Sequence, residues 1–190
     1  MTWHGELRII ASAQALVGVN RLLDPKNLVQ IFVSPRARAK RTLELLGLPA
    51  SIPVEETEDL AEWDYGDYEG KKTKEIKEEN GDWDIWTDGC PGGESPQEVS
   101  DRVDRLIERI REFHRQAEQE NRKADLLCVA HAHVLRSFTA RWINAPIKYG
   151  HFLLYDAGGI GCLSYEHDNI DEPAIKVWNV TDGLTGPLIP

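Results

Sequence analysis

Cysteine is scarce in this chain and falls in no pairing pattern. Cys90, Cys128 and Cys162 lie far apart, form no Cys-x-x-Cys unit and are odd in number. That excludes a disulfide framework and the common zinc spacings, and it points to a reducing compartment, the cytoplasm. Positive charge is also short. With 22 Lys+Arg against 32 Asp+Glu the net charge is −10, which argues against nucleic acid and against an anionic membrane surface as partners. No apolar run approaches the roughly 20 residues that a membrane span needs, and no leader pattern opens the chain. There is no internal repeat.

What is present fits one domain. We expect it over residues 1–180, with 181–190 as a tail. The stretch that organises it is Asp125–Arg136, DLLCVAHAHVLR. Leu126 to Ala130 form a continuous apolar run, the pattern of a strand buried on both faces in a parallel sheet. Val134 to Trp142 then read as a helix. His131 and His133 therefore sit where a strand ends and a helix begins, the edge at which open α/β sheets bind ligands. Taken alone, the stretch fits a core histidine and a capping histidine equally well.

The rest of the chain supplies alternating elements. Leu7 to Leu23 read as a helix that ends at Asp24-Pro25, with no strand before it. Val29 to Val33 read as a strand, and Ser34-Pro35 as the start of a helix that Gly47 stops. That helix carries Arg36, Arg38, Lys40 and Arg41, four cations in six residues of an acidic protein. A basic helix N-terminus after a strand suits an anion. Ile52 to Val54 read as a short strand. Leu60–Gly70, LAEWDYGDYEG, reads as an ordered loop in which Glu62 is flanked by Ala61 and Trp63. An apolar setting of that kind suits a carboxylic acid that donates a proton. Lys71–Glu79 read as a charged helix, and Asp88–Ser95 as a loop. Ser95-Pro96 starts a long amphipathic helix with Val99, Val103, Leu106, Ile107, Ile110 and Phe113 on one face. Phe152–Leu154 form a further apolar run. Ile160–Tyr165 and Ala174–Val180 read as a closing pair of strands. The alternation implies a three-layer α/β/α sandwich with a mostly parallel sheet.

Four separated stretches, SPRARAKRT, LAEWDYGDYEG, PGGES and VAHAHVLR, together resemble the histidine phosphatase superfamily, the phosphoglycerate-mutase-like fold. They occur in the family's order over most of the chain. The acidic loop and DAGGIGCLSYEHDNIDEP (residues 156–173) resemble its fungal sedoheptulose-1,7-bisphosphatase branch. The resemblance implies a metal-independent, cofactor-free phosphatase acting on a small sugar phosphate or bisphosphate through phosphohistidine. It implies Arg38 as a phosphoryl clamp, His131 as the second histidine, Glu62 as the proton donor, and Tyr65 and Arg136 as part of a substrate-phosphate pocket. It leaves a homo-oligomer open.

One departure stands out. The family opens with a buried strand ending in Arg-His-Gly, whose histidine is the nucleophile. Trp3-His4-Gly5 fits poorly, because the arginine is replaced and too few residues precede His4 to make the strand. Thr2-x-x-Gly5 fits the family's later Leu-Thr-x-x-Gly segment better. We therefore expect His4 to lie away from His131, and the chain to lack its first strand, its nucleophile and one clamp arginine. Two other classes remain: a non-catalytic phosphate-binding or interaction protein on the same fold, and a metal enzyme using His131 and His133 as a chelating pair.

Overall fold

A computed structural model describes residues 23–181. The expected helix before Asp24, the placement of His4 and the tail after Thr181 lie outside the described residues. In chain order the described elements are β1 (Leu28–Val33), α1 (Ala37–Leu45), β2 (Val54–Glu56), α2 (Thr73–Asn80) and a short α3 (Ile85–Asp88). They are followed by α4 (Pro96–Gln119), β3 (Asp125–Val129), α5 (Ala132–Trp142), β4 (Ile160–Tyr165) and β5 (Pro173–Val180).

The first three strands form a parallel sheet in the order β2-β1-β3. Side chains alternate along each strand, so its two faces feed two cores. Phe32 of β1, with Leu126 and Cys128 of β3, points into a large cluster built from α4 and α5. Ile31, Val33, Leu127 and Val129 point the other way, against Leu43, Leu46 and Ala39 of α1. Helices thus cover both faces, as the alternation predicts. In α4, Ser95 and Glu98 close a reciprocal capping box with Pro96 in the first turn. Its fully buried Val99, Val103 and Leu106 recur at spacings of four and three. Each such side chain contributes about 1.5–3 kcal/mol on burial.

The closing strands pair with each other, beside the parallel sheet. β4 and β5 form their own antiparallel pair. Among the described residues β3 pairs with β1 alone, and β4 with β5 alone. A cavity of about 710 Å³ lies between the two sheets, with Leu126, Cys128 and Ala130 on one side and Ile160 and Cys162 on the other. Leu126, Leu127 and Cys128 are consequently only half-buried, although their apolar run predicts burial on both faces. One further expectation shifts. The helix after β1 begins at Ala37, with Arg36 rather than Ser34 at its cap. The apolar run Phe152–Leu154 begins at the end of a 3-10 helix (Ile147–Phe152) and lies at the surface, with Phe152 75% and Leu154 71% exposed.

Candidate active site

β1 and β3 run side by side and in the same direction, so the residues after their ends emerge together. Ser34 follows β1, and its amide donates to the Val129 carbonyl at 2.9 Å. His131 follows β3 and caps α5. The Ser34 hydroxyl lies 2.8 Å from His131 Nε2. In the first turn of α1, Arg38 Nε donates to His131 Nδ1 at 3.1 Å. A guanidinium only donates, so Nδ1 is the acceptor and the ring proton sits on Nε2, directed at the fully buried Ser34. His131 is thus held as a neutral imidazole. Burial is the main cause that pushes its pKa below the usual value, and the positive charges of Arg38 and Arg36 add to it.

The acidic loop closes over this pair. Glu62 Oε1 accepts from Val134 N and Trp63 N, each at 3.0 Å, and Oε2 from His133 N at 3.4 Å. The apolar setting expected from Ala61 and Trp63 is therefore not what the carboxylate meets. Trp63 turns away and is buried edge-on against Trp86, while the carboxylate caps the N-terminus of α5. Two glycines let the loop come close. A Cβ on Gly66 would stand 2.3 Å from Gly93 N, and one on Gly93 would stand 2.2 Å from the Asp64 carbonyl oxygen.

Tyr65, at the end of the same loop, places its hydroxyl 2.7 Å from His133 Nδ1. Burial and the neighbouring Glu62 charge push the Tyr65 pKa up strongly, so the phenol keeps its proton. It shares this hydrogen bond with an imidazole whose own pKa burial has lowered. Arg136 stacks over Trp86 at 4.7 Å and spends Nε and Nη2 on the carbonyls of Gly150 and His151. It borders the site through Trp86, whose ring also packs on His133.

The fold thus gathers Arg38, Glu62 and His131 at the carboxyl edge of the parallel sheet, with Tyr65, His133 and Arg136 alongside. Arg38, Glu62 and His131 also line the cavity beside β3. Sequence reasoning missed Ser34, which reads as a helix cap and instead bonds His131. It also missed the pairing of His133 with Tyr65. With these bonds made, both nitrogens of His131 and one of His133 are engaged. Among the described residues no group of three His, Cys, Asp or Glu side chains is placed to hold a metal. No helix among them is long and apolar enough to cross a membrane.

This arrangement, a neutral imidazole and a guanidinium at two strand ends beneath a carboxylate, suits a phosphoryl group and its leaving oxygen. Comparison with known proteins agrees. The sequence profile of the histidine phosphatase superfamily (branch 1) matches residues 10–181. The chain is 35% identical over 235 aligned positions to a sedoheptulose 1,7-bisphosphatase of Saccharomyces cerevisiae, covering 100% of this chain and 84% of that protein. It is 38% identical over 155 positions to an acid phosphatase of Mycobacterium tuberculosis, covering 82% and 70%. A solved structure of a Mycobacterium tuberculosis open reading frame product superposes with a TM-score of 0.76 at 32% identity, over 96% of this chain and 85% of that one. The chain belongs to the histidine phosphatase superfamily, branch 1.

Proposed function

We propose that this cleft binds the phosphoryl group of a sugar phosphate and cleaves its ester, as a phosphatase of the sedoheptulose-1,7-bisphosphatase kind. The observation that carries the reading is the direct contact of Arg38 with His131 beneath Glu62. Arg38, oriented by its bond to His131, would take the phosphoryl oxygens, with charge stabilisation supplying most of the effect. Glu62, in its acid form, would donate a proton to the leaving alkoxide as the P–O bond breaks. The similarity to the yeast sedoheptulose 1,7-bisphosphatase supports the substrate class. The reading carries with it a cytoplasmic protein and a small soluble substrate.

The same reading makes this chain catalytically impaired. Among the described residues no second histidine contacts Arg38, and a cavity lies beside β3 where a strand could bring one. Without covalent catalysis only slow, direct attack by water remains. These two observations also favour a second reading, a phosphate-binding protein that turns nothing over. Phosphate release from sedoheptulose-1,7-bisphosphate, measured beside orthophosphate binding, separates the two. Release at a low rate supports the first and binding without release the second. Absence of both sinks both. Fusing a strand that ends in Arg-His-Gly ahead of the chain should raise release at least 100-fold, the lower range for a positioned catalytic group. An unchanged rate in a folded fusion protein would refute the impairment argument.

A further inference from the structure

We infer that Glu94 of the Pro91–Ser95 loop and Arg102 of α4 form a buried clamp whose task is to position Glu62. The inference rests on the reading of Glu62 as the proton donor. Arg102 is a charged side chain only 7% exposed, and each of its nitrogens is spoken for. Nε and Nη2 grip Glu94 as a fork, at 2.7 and 2.9 Å. Nη1 donates to the carbonyls of Asp59 at 3.0 Å and Ala61 at 2.9 Å. Ala61 immediately precedes Glu62.

Glu94 secures the other side. Its Oε2 accepts from Asp64 N at 2.9 Å, and its own amide donates to the Asp64 carbonyl at 2.9 Å. Its carbonyl accepts from Trp63 Nε1 at 2.9 Å. Glu62 is thereby bracketed by Ala61 on one flank and by Trp63 and Asp64 on the other. Ala61 and Asp64 are held by the side chains of the ion pair, and Trp63 by the main chain of Glu94. That pair hydrogen-bonds to none of Arg38, His131 and the Glu62 carboxylate, so both members are positioning residues.

The choice of an ion pair is informative. A buried pair gains little net stability over an apolar replacement of the same shape. What it adds is direction, since a planar guanidinium fixes a carboxylate and two carbonyls at set angles. Apolar packing of Trp63 alone would hold the loop down but would leave the Glu62 side chain free to swing off α5. Lysine at position 102 offers a point charge in place of the fork and cannot reproduce all four contacts.

The experiment uses the full 190-residue chain with Arg102→Lys, Arg102→Met and the isosteric Glu94→Gln. Two esters are compared: p-nitrophenyl phosphate, whose leaving group needs no proton, and sedoheptulose-1,7-bisphosphate, whose alkoxide does. Amide exchange is followed at Val134, which donates to Glu62, and at Ile31 in β1, which donates to the Pro53 carbonyl. We expect hydrolysis of the sugar phosphate to fall about 100-fold, the low end of the effect of a general acid, with the nitrophenyl ester changed less than threefold. Exchange at Val134 should rise at least tenfold relative to Ile31, most in Arg102→Met and least in Glu94→Gln. Equal losses on both esters, or parallel rises at the two amides, would mean a purely structural pair and overturn the proposal. If the unaltered chain hydrolyses neither ester, the phosphatase reading fails separately, and the amide comparison still decides the clamp.

Discussion

Replacing Glu62 with alanine and with glutamine separates two tasks that one side chain performs. The carboxylate caps α5 through Val134 N and His133 N and also accepts from Trp63 N. Loss of a helix cap costs about 1 kcal/mol. Loss of a negative charge at a helix N-terminus costs about 0.3–1 kcal/mol more. Glu62→Ala forfeits both. With about 2–4 °C lost per kcal/mol in a chain of this size, its melting temperature should fall roughly 3–8 °C. Glu62→Gln keeps a carbonyl acceptor and loses only the charge, so its fall should stay within about 4 °C. Binding of an anion should move the other way. A carboxylate facing a bound phosphate a few ångströms off repels it by about 1 kcal/mol in a well-solvated cleft. Both variants should therefore bind orthophosphate several-fold more tightly while losing whatever ester hydrolysis the chain has. Thermal unfolding and calorimetric titration with orthophosphate read the two effects. A melting temperature in Glu62→Ala that matches wild type would refute the capping role. Unchanged phosphate affinity in both variants would place the carboxylate away from the anion, and weaker binding would contradict the repulsion outright.

Other consequences can be checked in the same way. Arg38→Met removes a charged donor worth about 1.5–3 kcal/mol, so orthophosphate affinity should fall about tenfold to 100-fold; an unchanged affinity in titration would move the anion site elsewhere. His114, His131 and His133 all have pKa values lowered chiefly by burial. Just below their unfolded value of about 6.5 the unfolded chain therefore binds more protons than the native one. Stability should drop as pH falls from 7.5 to 5.5, before the surface carboxylates begin to titrate. A melting temperature that rises on acidification would contradict that sign. Gly93→Ala drives a methyl onto the Asp64 carbonyl, an overpacking cost of about 1–3 kcal/mol. It should also weaken phosphate binding by shifting the Glu62 loop, and retained affinity in calorimetry would show that the loop tolerates the shift.

Much of how this cleft is assembled is legible in the sequence. Arg38 and His131 follow apolar runs, and two parallel strands in contact must deliver the residues after their ends to one place. Ser95, Pro96 and Glu98 start α4 by local chemistry alone, and α4 forms as its spacing predicts. The misses have physical reasons. Ser34 carries the same local signal as a helix cap, and only the approach of β3 diverts its hydroxyl to His131. Glu62 has apolar neighbours in sequence, but the Trp63 ring leaves for the core and the carboxylate turns to amides 71 and 72 residues further on. No local rule anticipates a helix cap donated from so far away.

The half-exposed β3 is the most instructive of these differences. A run of Leu126, Leu127, Cys128, Val129 and Ala130 is written for a strand with neighbours on both edges and cover on both faces. The described residues give it α1 on one face, α4 and α5 on the other, and β1 on one edge. The second edge meets the cavity. Among the described residues no strand pairs with that edge, and an unpaired edge of this composition suits another strand. Residues along β3 line that cavity together with Arg38, Glu62 and His131, so under the proposed function an extended segment laid there would run toward the proposed anion site. Under the proposed function, what lies along that edge, more than the identity of any residue already in the cleft, would decide whether Arg38 and Glu62 have a nucleophile to work with.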